Sequence, residues 1–245
     1  MSNETPVYVF EATEITNPKR VVIYGCGGAG INQARRFEEL VGKSATGYAE
    51  IVPMYIDTSD SNSVQVQAAA QRSYRFEGTV GSGGLRKEHV DLIADAVNEI
   101  LSRLRPGDLN IVVSSLSGGS GSVIAPCLAS ELLARGLKVI VIGIGSNESE
   151  IRVRNSLNAI RSYANIAEET EKPVVMSLHF NSPKTPRYAV DYPMGFLITD
   201  GRLSKTVDVL NQTLQTYEER LAAVRPRNSG LVTNQEGRTK RGLVV

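Results

Sequence analysis

The chain has 245 residues, 41% of them apolar, enough to bury one large core with extensions. Its 27 basic and 26 acidic residues leave a formal net charge of +1, no stretch is apolar enough to span a bilayer and no signal-peptide core opens it; cytoplasmic residence without nucleic-acid or membrane partners is expected. Two cysteines, Cys26 and Cys127, and two histidines show no metal-ligand spacing, and both cysteines lie in apolar or glycine-rich segments that suit core packing.

Residues 1–19 read as an arm, polar apart from Val7-Tyr8-Val9-Phe10, a run that suits an edge strand or contact with a partner. Arg20 to Tyr24 is a buried strand by its β-branched run. It leads into Gly25-Cys26-Gly27-Gly28-Ala29-Gly30 and a helical stretch from Ile31 to about Val41. Alone, this loop suits a dinucleotide fold as readily as any other nucleotide site. The next strand, Ile51 to Ile56, ends in Asp57-Thr58-Ser59-Asp60. A carboxylate there is compatible with a ribose hydroxyl, with Mg²⁺ held through water, or simply with capping the following helix. Gly81-Ser82-Gly83-Gly84 then precedes a helix patterned by Val90, Ile93, Val97, Ile100, Leu101 and Leu104, up to Pro106-Gly107. That second glycine run reads as an anion loop or as a mobile linker.

The strongest signal lies in the middle. A strand from Leu109 to Val113 enters Ser114-Ser115-Leu116-Ser117-Gly118-Gly119-Ser120-Gly121-Ser122, which opens onto a helix from Val123 to Leu133. Strand, glycine loop and helix together aim free backbone N–H groups and a positive dipole end at an anion. Pro126 near the helix start costs one hydrogen bond at most. After Gly136 comes the strand Leu137 to Ile144, then a polar helix from Asn147 to Glu171 with Glu150 and Arg154 on one face, then a strand from Pro173 to Phe180. Read alone, that charged pair is a surface ion pair worth little. The alternation predicts an α/β class, a doubly wound, mostly parallel sheet with helices on both faces and ligands at the carboxyl ends of the strands. Leu203, Val207, Leu210, Leu214, Tyr217, Leu221 and Val224 form a heptad stripe, suited to packing on the sheet or against another copy. Residues 225–245 are a polar tail with Arg238, Lys240 and Arg241, ordered only if a partner holds it.

From Arg20 to Asn181 these residues resemble the nucleotide-binding domain of the tubulin and FtsZ superfamily, and within it the phage tubulin-like (PhuZ) branch. Gly25, Cys26, Gly27, Gly28 and Asn32 fall on the family's first loop, Asp57 and Thr58 on its second, Gly83 and Gly84 on the third, which senses the γ-phosphate. Ser117, Gly118, Gly119, Ser120, Gly121 and Ser122 resemble the tubulin signature loop, with serine in place of the usual threonine. By the same resemblance Glu150 and Arg154 hold the ribose, Asn181 faces the guanine, and Tyr188 and Tyr192 fall near the residues that stack on the base and read it. Tyr192 departs from the family's asparagine and lacks its paired donor and acceptor. The implied ligands are GTP or GDP with Mg²⁺.

With the arm at 1–19 and the tail at 225–245, the resemblance implies one domain at 20–224, ending in a candidate central helix interrupted by Asp200-Gly201. Neither the family's acid-bearing loop nor its second domain is found, so the expectation is a GTP-binding assembly protein with little or no hydrolysis. It would self-associate or join a larger phage assembly through the arm, the heptad helix and the tail, in the infected host's cytoplasm or in the virion. An active GTPase making dynamic filaments is the alternative, and an NAD-dependent Rossmann oxidoreductase the minor one.

Overall fold

The computed structural model describes residues 19–41, 49–59, 67–146 and 149–181. Among them six strands form one sheet: β1 (Lys19–Cys26), β2 (Ala49–Asp57), β3 (Ser73–Arg75), β4 (Leu109–Ser115), β5 (Val139–Ser146) and β6 (Val175–Asn181). Their order in space is β3-β2-β1-β4-β5-β6, and every adjacent pair is parallel. The crossovers carry α1 (Gly27–Val41), α2 (Val90–Arg103), α3 (Gly121–Ala134) and α4 (Glu150–Thr170). This is the doubly wound α/β architecture that the alternation of strand and helix predicts.

Side chains alternate across the sheet and divide the interior in two. Val22, Tyr24 and Cys26 of β1, with Ile56 and Val112 beside them, share the larger core with α2, α3 and α4. Ile23, Tyr55 and Val113 face the other way, against Ile31 and Ala34 of α1. α3 packs between α2 and α4 and on the sheet, and Gly121 through Ala129 are all buried. That surround explains why its sequence has no polar face. Tyr24 carries its hydroxyl through the larger core to donate to Leu104 O at 2.8 Å, fixing the end of α2 to β1. Cys26 and Cys127 are free and buried; burial, reinforced by the Asp57 carboxylate, pushes the Cys26 thiol well above its ordinary value. It therefore stays a neutral packing group.

Several boundaries differ from those read in the sequence. α1 begins at Gly27 rather than Ile31, and α3 at Gly121 rather than Val123. The glycines that read as loop lie in the first helical turns, where close approach of neighbouring backbone demands them: a Cβ at Gly30 would run into Val113 O, and one at Gly121 into Cys26 O. β3 has three residues, too few to show any periodicity. At the far end of α3, Gly136 (φ +76°) closes the helix, with Leu137 N–H donating to Leu132 O and Gly136 N–H to Leu133 O. The N-terminal arm up to residue 18, the heptad stripe, the tail, and the Asp200-Gly201 interruption lie outside the described residues.

Candidate functional site

From β1 the chain winds outward to β2 and β3, then returns to place β4 on the other side of β1. Between the carboxyl ends of β1 and β4 the connections leave in opposite directions, the position at which such sheets open a crevice. β1 passes directly into α1 there, and β4 passes through the serine-glycine loop into α3. The two helix starts touch. A Cβ on Gly27 (φ +68°) would lie 2.8 Å from Gly121 N, so only glycine fits. Two positive helix ends, with first-turn amides that have no acceptor within their own helix, therefore converge on one point. Gly25 and Cys26 are buried behind it, Gly28 is half-buried and Asn32 is exposed one turn along α1.

Hydroxyls connect the loops around this point. Asp57, at the tip of β2 and 6% exposed, accepts the Thr58 N–H at 2.8 Å. The fully buried Thr58 shares a short hydrogen bond between its Oγ1 and Ser120 Oγ, and Ser120 Oγ in turn bonds Ser82 Oγ at 3.1 Å. The second loop, the serine-glycine loop and the third loop are thus joined in a line. Thr79 extends it by donating to Thr58 O at 2.7 Å. Ser122 Oγ bonds Gly118 O at 2.6 Å and Gly119 O at 2.8 Å, so it holds the loop's own curve. Ser117 Oγ lies 3.0 Å from Ser115 Oγ, on the side toward β5.

The third loop lies against the serine-glycine loop. Any side chain at Gly119 would meet Ser82, whose Cβ would be 2.7 Å from the new Cβ. Gly83 (φ +57°) and Gly84 (φ +85°) have nothing within 4 Å of where a Cβ would stand, so backbone conformation alone requires glycine there. Two buried side chains anchor the loop from below. Arg86, 4% exposed, donates to Ser122 O and to Ser162 Oγ of α4. Ser122 O is the carbonyl that the residue four positions on would normally bond, and that residue is Pro126, which has no N–H. The proline therefore frees an acceptor that the arginine takes. Burial pulls Arg86 down to about 10, which leaves it a cation at neutral pH. Asn155 of α4, 7% exposed, reaches Gly84 O at 2.8 Å, Ser117 O at 3.1 Å and Gly118 O at 3.4 Å through Nδ2.

Neither Arg86 nor Asn155 was legible as a site residue from the sequence. The available signal was a polar residue on an apolar stripe: Asn155 sits among Val153, Leu157 and Ile160 on the buried face of α4. Glu150 and Arg154 occupy the start of the same helix at the same rim, paired at 2.6 Å and both nearly half exposed. Asn181 ends β6 level with Ser146. Its side chain, and Tyr188 and Tyr192 altogether, lie outside the described residues. Among the described residues no three His, Cys, Asp or Glu side chains gather as a metal cluster, and no helix is long and apolar enough to cross a membrane. What the rim offers is amides, hydroxyls and one buried carboxylate, a donor-rich set suited to a polyanion.

The sheet order is shared with dinucleotide-binding folds, so the order alone does not separate the candidate ligands. Comparison with known proteins separates the families. A family model described as the Tubulin/FtsZ family, GTPase domain, matches residues 20–177. The chain is similar to a phage tubulin-like protein of Pseudomonas phage phiKZ, 33% identical over 181 residues, which are 69% of this chain and 52% of that protein. Among solved structures it is similar to a monomeric subunit of TubZ from bacteriophage PhiKZ, with a TM-score of 0.58 and 27% identity over 82% of this chain and 62% of that one. A protofilament of TubZ from the same phage shares the fold with a TM-score of 0.62 at 20% identity, over 94% of this chain and 100% of that one. The chain spans about half the length of the curated relatives it matches.

Proposed function

The chain belongs to the tubulin/FtsZ family, in its GTPase domain, and from that premise we propose that it binds GTP or GDP at the β1/β4 crevice and assembles with further copies of itself. The observation that carries the reading is the contact of Gly27 with Gly121, which sets two helix N-termini side by side at the switch point. In this reading the amides of Gly27, Gly28, Gly119 and Ser120 cradle the inner phosphates, while Gly83 and Gly84 meet the terminal one. Glu150 and Arg154 take the sugar, and Asn181, Tyr188 and Tyr192 approach the base. Asp57, beside Thr58, would hold Mg²⁺ through water, and the cation would offset the charge of the phosphates.

Assembly rests on the filament-forming relatives, one of which was solved as a protofilament. The arm, the heptad stripe and the tail are the proposed contacts, and the phage relatives favour a role inside an infected bacterium or in the virion. Turnover by a lone subunit is proposed to be slow: among the described residues the buried carboxylate at the rim is Asp57, and one of its oxygens already accepts the Thr58 N–H.

The test is Gly119→Val, measured by equilibrium binding of a fluorescent GTP analogue and by phosphate release. A valine there displaces Ser82 and the third loop from the serine-glycine loop. Binding should be lost while the far-ultraviolet circular dichroism is kept, and phosphate release should be near background even in the parent protein at low concentration. Unchanged binding in the variant removes the cradle from the account, and rapid release by dilute parent protein removes the slow turnover.

A further inference from the structure

The third loop and the serine-glycine loop are separate in sequence, and one amide group serves both. Asn155 Nδ2 lies within hydrogen-bond reach of Gly84 O on one loop and of Ser117 O and Gly118 O on the other. All three partners are carbonyl oxygens, which fixes the amide with its NH₂ toward them, since its own carbonyl would be repelled. The residue is 7% exposed and stands in the second turn of α4, one position beyond Arg154. Gly83 and Gly84 have no side chains and nothing within 4 Å of where a Cβ would stand, so their placement depends on what holds their backbone.

We propose that Asn155 is a positioning residue that sets Gly83 and Gly84 against the serine-glycine loop and so determines how strongly the site prefers a nucleoside triphosphate to a diphosphate. This inference rests on the guanine-nucleotide reading of the site. Without the Asn155 amide the Gly84 carbonyl loses its tie to the outer face of Ser117-Gly118. The third loop then no longer presents its amides at a fixed distance from the terminal phosphate. In that reading the inner phosphates are cradled by the amides of Gly27, Gly28, Gly119 and Ser120, and the curve that presents the last two is also held by Ser122 Oγ on Gly118 O and Gly119 O, so a diphosphate should be less affected than a triphosphate. Because α4 also carries Glu150 and Arg154, the same helix would sense both the sugar end and the terminal phosphate.

The experiment compares dissociation constants for GTP and GDP in the full chain and in Asn155→Ala and Asn155→Leu, the second keeping most of the buried volume. The expected result is a fall in the GTP-over-GDP preference of roughly fivefold to tenfold in each folded variant, the size of one to two lost hydrogen bonds, with GDP affinity within about a factor of two. A purely structural role would weaken both nucleotides in parallel, and that outcome overturns the proposal, as does an unchanged ratio. Hydrogen exchange in the unsubstituted protein gives the same answer without a variant. Residues 117–119 should gain protection with either nucleotide and residues 81–86 with a non-hydrolysable GTP analogue alone, and equal protection of residues 81–86 by GDP contradicts it. Failure of the unsubstituted protein to bind either nucleotide is a different result and refutes the GTP-binding reading itself.

Discussion

At Gly30 and Gly121 an added Cβ would strike the backbone carbonyls of Val113 and Cys26, whereas at Gly83 and Gly84 it would meet nothing within 4 Å. The first pair sits where α1 and α3 press against the strand ends, so glycine is needed for contact between rigid elements. The second pair sits on a loop with room around it and positive φ, so glycine is needed for the path of the chain. The floor of the site is therefore fixed by backbone packing, with the buried Arg86 tying α3 to α4 beneath it, and its cover by side-chain ties from Ser82 and Asn155. Changes in the floor should act on folding, and changes in the cover should act on the ligand.

The largest effect expected from this contrast is at Gly30. Alanine there forces α1 off β4 and should cost about 3 kcal/mol or more, read as a collapse of the urea unfolding midpoint. Stability close to the parent would mean that the two elements can part at low cost. Next comes Arg86→Met, which strips a donor from Ser122 O and Ser162 Oγ and should cost about 2 kcal/mol. Adding Pro126→Ala restores an N–H four residues after Ser122, and about 1 kcal/mol should return in the double variant. Strict additivity of the two substitutions would show that proline and arginine do not share that carbonyl. The smallest change in stability is expected at Gly83→Ala, about 1 kcal/mol of left-handed backbone strain. Its larger consequence should be on GTP affinity, and a variant as destabilised as Gly30→Ala would erase the distinction between floor and cover.

Much of this was legible in the sequence because it is local. The β-branched run at Arg20 to Tyr24, the helical spacing of Val90, Ile93 and Val97, and the strand-loop-helix order around Gly119 each state their own conformation. The doubly wound sheet follows from their alternation. What the sequence obscured depends on pairs far apart in the chain. Gly27 and Gly121 read as turn formers because nothing local says that they touch. Nothing local marks Arg86, because Pro126, which opens an acceptor for it, is 40 positions away in the numbering. Asn155 stands next to a charged pair in the sequence, and its three carbonyl partners, distant along the chain, are what give it a task. The proposed ribose pair, Glu150 and Arg154, came from the family resemblance rather than from the residues alone; the structure shows the two paired in the first turns of α4.

The measurement that bears most directly on the central claim is equilibrium binding of radiolabelled GTP to the purified chain in the presence of Mg²⁺. The converging loops predict saturation at one guanine nucleotide per chain, displaced by GDP and abolished by Gly119→Val. A chain that takes up no guanine nucleotide, or takes it up equally well when Gly119 carries a valine, contradicts the claim that the β1/β4 crevice is a phosphate site.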